Sequence, residues 1–488
     1  MALPRGKTRS GGAYVLMIGG TILAFYFVQW IGSSLRAPPR VGPGRFGEAE
    51  TGGQIDVLLH VLLALAVIIV SARLLGVLFR FLHQPAVIGE VLAGILLGPS
   101  LLGRVAPGLS GLLLPPSVAP FLSIIAQVGI ILYMFLVGTE LDPATLSRRA
   151  HASIMVSHAS IVVPFLLGAV LALHLYPRVS SSDIPFFMFA LFMGVSMAVT
   201  AFPVLARILT DRSMQKTSLG VMALTCAAVD DVTAWCLLAL LVSIVQSRVG
   251  GALLTAGMTV CFIATMIFLV RPLIARLVRR QEQRGLTRGA MAVICVGMLL
   301  SALVSEGIGI HAVFGAFLLG ALVPHDASVA RQLREKLEDL VLVLFLPAYF
   351  AFTGMRTQVG LVSGFDEWLL CALIILVASL GKFGGTLLAA RLTGSEWREA
   401  LSLGVLMNTR GLMELVVLNI GLDLKVVSPT LFAMLVIMAV VTTLATAPLL
   451  HLLAVRHRPA TDENLGKDML AARPEPPLHS PEGSAPRP

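Results

Sequence analysis

A chain of 488 residues that is 57% hydrophobic and only 13% charged is not composed like a soluble protein, in which about a quarter of residues are charged. The formal net charge of +9 does not indicate a nucleic-acid binder, because Arg and Lys gather in short segments between apolar runs, as in the loops of a membrane protein. Five cysteines, Cys226, Cys236, Cys261, Cys295 and Cys371, fall inside those runs without metal-ligand spacing and read as small packing residues.

The runs reach about 20 residues, enough to cross roughly 30 Å of hydrocarbon as helices. Every backbone polar group in a bilayer must be satisfied within its element, and the alternation of a membrane β-barrel is absent, so the fold class is all-α and polytopic. The first run, 13–33, follows Arg5, Lys7 and Arg9 and lacks a clear small-residue cleavage site, which predicts an uncleaved signal anchor. A Pro/Gly/Arg-rich linker follows over 34–53. Thirteen more helices are predicted near 54–80, 85–103, 119–138, 150–176, 184–208, 216–246, 251–280, 288–306, 309–324, 337–355, 366–392, 398–421 and 430–455. The expected organisation is anchor and linker over 1–53, a membrane domain over 54–455 and a polar, Pro-rich, disordered tail over 456–488.

Arg148, Arg149, Arg207, Arg212 and Lys216 share one side with the basic 271–288 and 331–336 segments, Arg391, Arg398, Arg456 and Arg458. The positive-inside rule makes that side the cytoplasm and places both termini there, in a cell's inner (plasma) membrane. Two pairs of segments also resemble each other at a shift of seven helices: A-G-I-L-L-G-P (93–99) with G-A-F-L-L-G-A (315–321), and M-F-L-V-G-T-E-L (134–141) with Y-F-A-F-T-G-M-R (349–356). An odd shift reverses the direction of crossing and predicts two inverted repeats.

Asp230 and Asp231 stand mid-helix with nothing else charged within about ten residues. Ionised groups at that depth are costly and mark ion pathways. Adjacent helical residues point about 100° apart, so the two acids need not share a role. Lys382, in the middle of the 366–392 run, is the expected partner, because a buried charge needs an opposite one. In V-T-A-F-P-V-L-A-R (199–207), Pro203 cannot donate to Val199 and pushes Phe202 out of helical geometry. In M-N-T-R-G-L-M-E-L (407–415), Asn408, Thr409 and Gly411 weaken a second helix. Two broken helices at matching positions present half-helix ends in mid-membrane, where freed carbonyls and the Thr200 hydroxyl can help coordinate a cation. Arg410 and Glu414, four residues apart, share a face and support the break. Glu90, near the start of its helix, reads either as a gate acid or as an interfacial residue, whereas Glu140, Glu306, His311 and Arg356 read as interfacial.

H-Q-P-A-V-I-G-E-V-L-A-G-I-L-L-G-P-S (83–100), T-A-F-P-V-L-A-R-I-L (200–209) and N-T-R-G-L-M-E-L-V-V-L-N-I-G (408–421) resemble the monovalent cation:proton antiporter-2 family, its bacterial members and the plant cation/proton exchangers above all. The resemblance covers about 54–455 and implies a thirteen-helix core, a dimerisation domain, a mobile core domain, crossed broken helices and a homodimer. It implies that the acid at Asp231 binds the cation or protons and that Asp230 pairs with Lys382. An acid rather than an amide at position 230 is similar to the electrogenic sodium/proton exchangers and leaves Na+ versus K+ open. The expectation is a secondary antiporter of Na+ or K+ against H+. It is not an enzyme, and it has no cofactor and no metal beyond the transported cation. An electroneutral K+/H+ exchanger and an organic-anion transporter on the same fold are the alternatives. Two carboxylates disfavour an anion site, and adjacent acids do not match an intramembrane aspartyl protease.

Overall fold

The computed structural model describes residues 7–33, 35, 57–140, 150–212, 214, 217–246, 252–281, 285–324 and 328–453. The predicted tail, and the predicted linker apart from Leu35, lie outside them. All regular structure among the described residues is helical, and ten helical stretches are long and apolar enough to cross a membrane.

The helices fall into two groups by their packing. The first contains Val57–Phe81, Ala86–Leu97, Ala119–Glu140, Arg288–Ile308, Ala312–Leu322 and Leu346–Arg356. The second contains Ala150–Val179, Ser218–Gln246, Phe365–Leu392, Pro429–Leu452 and the four short helices Phe186–Ala198, Phe202–Asp211, Trp397–Met407 and Leu412–Asp423. Helix 252–281, interrupted by one wide turn at Met266–Val270, connects them and is among the least buried.

Lipid gives neighbouring helices no hydrophobic drive to associate, so close packing of small residues does that work. In the first group helix 86–97 lies against 346–356 through Gly94 and Gly354, and helix 312–322 lies against 119–140 through Gly320 and Gly138. At each of these glycines a Cβ would run into the partner's backbone. In the second group Gly381 and Gly385 bring helix 365–392 onto Ala159, Val163 and Pro164 of helix 150–179. That contact sets Lys382 opposite the serine-bearing face of helix 150–179.

Two helices stop in mid-course and restart. The first breaks over 199–201, directly before Pro203, which sits in the first turn of Phe202–Asp211, where a missing N–H costs nothing. The second breaks over 408–411, where Gly411 has φ 157° and ψ −126°, a conformation closed to L-residues, and where a Cβ would meet Val204. The predicted uninterrupted helix 85–103 ends instead at Leu97, because Gly98 turns to extended backbone, and short turns follow at Leu102–Val105 and Pro107–Leu113. The predicted 337–355 helix begins earlier, at Ser328, since 328–340 forms an amphipathic helix that buries Val329, Leu333 and Leu337.

Gly320→Val should lower the melting temperature of the detergent-purified protein, by an overpacking cost of about 1–3 kcal/mol. Gly257→Ala, which meets nothing within 4 Å, should leave it unchanged or raised.

Candidate functional site

The two breaks touch: the Ala201 amide donates to the Thr409 carbonyl at 3.1 Å. Helix ends at this depth leave carbonyls that no water reaches. Three consecutive carbonyls at the end of Phe186–Ala198 are met by two fully buried cations. Arg410 donates to Ser196 O at 2.9 Å and Met197 O at 2.7 Å, and Lys382 Nζ donates to Ala198 O at 2.5 Å. Positive charge is also what the negative end of a helix dipole favours. In the second break, Thr443 of helix 429–452 accepts from the Arg410 amide at 3.0 Å and donates to the Arg410 carbonyl at 2.7 Å. The Thr409 hydroxyl faces Thr446 at 3.5 Å.

Each cation has an anionic partner. Arg410 pairs with Glu414 at 2.5 Å, as their spacing of four predicted, and Glu414 lies in the first turn of Leu412–Asp423, the end that favours negative charge. Lys382 pairs with Asp230 at 3.0 Å, with neither side chain exposed. Asp230 has further donors. Ser157 reaches one carboxylate oxygen at 2.5 Å, and Ser160 and Thr200 reach the other at 2.8 and 2.7 Å. Thr200, expected to coordinate a cation, directs its proton to Asp230.

Ser157 and Ser160 did not stand out in the sequence. Hydroxyls in an apolar helix commonly bond their own backbone, as Ser160 does with Ser157 O at 2.8 Å. Their spacing of three, which places both on one face, was the available signal.

Asp231 is different. It is 1% exposed, and neither carboxylate oxygen has a hydrogen-bond partner. The Phe202 amide at the start of the restarted helix is a polar group that faces it. The Asn408 side-chain oxygen in the second break is likewise buried without a partner. An unpaired buried charge costs far more than a paired one, which sets Asp231 apart from the paired acids around it.

Glu90 is not in this cluster. It is buried on helix 86–97 and lines a separate cavity of about 200 Å³ with Arg73, Arg80, Tyr133, Val204 and Phe350. Val204 is the contribution of the second helix group to that cavity, from the first turn of the helix that restarts after the break.

A family model described as sodium/hydrogen exchanger, transmembrane, matches residues 62–453. The sodium/proton antiporter NhaS4 of Synechocystis is 44% identical over 397 residues, covering 81% of this chain and 97% of that protein. Cation/H+ antiporter 17 of Arabidopsis thaliana is 41% identical over 80% of this chain and 47% of its own length. The K+/H+ antiporter 1 of Saccharomyces cerevisiae is 34% identical over 79% and 45%. The chain therefore spans about half the length of these plant and yeast relatives. Among solved structures, the sodium proton antiporter MjNhaP1 of Methanocaldococcus jannaschii shares the fold, with a TM-score of 0.54 at 16% identity over 80% of this chain and 96% of that one.

Lys382→Ala should strand Asp230 as a buried, uncompensated charge and free the Ala198 carbonyl, at a cost of about 3–5 kcal/mol. The melting temperature in detergent checks this; an unchanged value would mean that the pair does not hold the site together.

Proposed function

The chain belongs to the sodium/hydrogen exchanger family, and on that premise we propose that it is a secondary active antiporter exchanging Na+ or K+ for H+ at Asp231. One observation carries the reading. Two cations, Lys382 and Arg410, and three carboxylates, Asp230, Asp231 and Glu414, are buried together at the breaks, leaving one negative charge uncompensated. Buried charge must be balanced. The balancing species is a single positive charge, either a proton on Asp231 or a monovalent cation beside it. The same count argues against an organic anion, which would add to the imbalance. Exchange follows because the two occupants exclude one another at one carboxylate.

The membrane domain runs over 54–455 with thirteen helices: the ten long stretches, Ala312–Leu322 and the two broken helices. Reciprocal packing supports inverted repeats. If helices 86–97 and 119–140 of one repeat correspond to 312–322 and 346–356 of the other, the contact of 86–97 on 346–356 and that of 312–322 on 119–140 are one contact seen twice. The protein works as a homodimer in the plasma membrane with both termini in the cytoplasm, and the site alternates between faces as the second helix group moves against the first. Glu90 and its cavity lie on the path to the site from one face.

Asp231→Asn should abolish exchange in protein that still folds, because an amide neither releases a proton nor attracts a cation by charge. Dye-reported proton flux in proteoliposomes, with sodium, potassium and lithium added in turn, checks this and ranks the cations. Wild-type flux in the variant would rule out Asp231 as the site.

Exchange is further expected to be electrogenic. Asp231 carries one proton; if the Asp230–Lys382 pair gives up a second when the cation binds, two protons move against one cation, and the cycle gains about 2.3 kcal/mol per 100 mV. A valinomycin-imposed potassium diffusion potential, with sodium as substrate and equal pH on both sides, should drive uptake with a rate that follows its sign. Uptake indifferent to the potential would mean that Lys382 keeps its proton and exchange is one for one.

A further inference from the structure

Helix 346–356 touches both ends of the route through the molecule. Leu346 and Phe350 line the cavity. Tyr349, Thr353 and Arg356, spaced by four and three, form another face that meets Asn419 and Asp423 of helix 412–423. Arg356 donates to Asp423 at 2.6 Å and to Asn419 Oδ1 at 3.1 Å. The Asn419 amide nitrogen lies 2.8 Å from Thr353 Oγ1 and 3.3 Å from the Tyr349 hydroxyl. These four bonds join the first helix group to the second. The bonds of Arg356 lie at the C-terminal ends of both helices, away from the cavity-lining Leu346. Helix 429–452 starts at that end and spans about 36 Å, so residue 453 marks the cavity face.

We propose that Arg356, Asn419 and Asp423 are the closed gate on the face opposite the cavity, and that Asn419 and Asp423 must part from Tyr349, Thr353 and Arg356 each time the site opens to that face. The geometry fits a contact made to break. The side chains of Arg356 and Asp423 are 18% and 48% exposed, so water and salt screen the pair and keep it weak. Asn419 is buried and supplies direction rather than charge, since its two donors and one acceptor engage both sides of the seam. The Lys382–Asp230 and Arg410–Glu414 pairs, fully buried within one helix group, can persist while the groups move.

The inference rests on the antiport reading and is tested by offering the cation to each face separately. The full-length protein is reconstituted in proteoliposomes sorted by orientation of the C-terminus, with Arg356→Gln, Asp423→Asn and the charge swap Arg356→Asp with Asp423→Arg. A weakened gate increases the population open to its own face, and apparent affinity scales with the population competent to bind. Both single variants should lower the KM for cation at the gate face at least threefold and raise it at the cavity face, and the swap should move both values back toward wild type. Wild-type KM on both faces in the single variants would overturn the gate. So would complete loss of exchange in folded Asp423→Asn, because a gate residue is not needed for ion exchange at Asp231. Wild-type protein that shows no cation-dependent proton flux would instead overturn the antiport reading.

Discussion

The carbonyl end of helix 186–198 lies buried beyond the reach of water, and the site depends on how that end is satisfied. Ser196, Met197 and Ala198 present three free carbonyls in a region where each would otherwise cost several kcal/mol. Arg410 and Lys382 satisfy them, but two buried cations are themselves too costly to keep unless anions accompany them. Glu414 and Asp230 are therefore structural consequences of the break as much as functional groups. Removing any one leaves a charge or a carbonyl stranded, which is why the cluster behaves as a unit.

The helix packing serves this cluster. Lys382 reaches the break because glycines at 381 and 385 let helix 365–392 lie directly on helix 150–179. The same approach carries Ser157 and Ser160 to Asp230. Helix 429–452, apolar over most of its length, places Thr443 and Thr446 beside the second break, where the backbone of 409–410 has left its own ladder. Small residues set the distances between helices, and hydroxyls complete the hydrogen bonding that broken helices give up.

Much of this was legible in the sequence, for physical reasons. A bilayer demands long apolar runs, so an all-helical membrane protein could be read, and Pro203 and Gly411 mark breaks because proline lacks an N–H and glycine weakens a helix. Asp230 and Lys382 could be paired because a membrane tolerates neither alone. The reach of Arg410 across to helix 186–198 was not legible, since the spacing to Glu414 already accounted for its charge and no local pattern reports a contact 213 residues away. The serines were hidden for a related reason: a hydroxyl is inexpensive in a helix, so its presence raises no question. Arg356, read as interfacial, proved to bridge the two helix groups, a role that depends on packing between distant segments. The break after Leu97 has a signal in Gly98–Pro99–Ser100, but the apolar run resumes at Leu101 and carries the predicted helix on to 103.

Adjacency explains how two identical side chains come to differ. On a helix, Asp230 and Asp231 point about 100° apart, so Asp230 turns toward Thr200 and helices 150–179 and 365–392, and Asp231 toward the restarted helix at Phe202. Asp230 meets three hydroxyls and a lysine, and both of its oxygens are occupied. Asp231 meets the helix start at the Phe202 amide and no side-chain donor. On the antiport reading proposed above, a cation at Asp230 would have to displace Lys382 and the hydroxyls, whereas at Asp231 it would displace only a proton. The division of labour thus follows from one residue's rotation about a helix axis. On that reading Asp231 is the acid left free to exchange an occupant, while Asp230 is held in the hydrogen-bonded architecture around it.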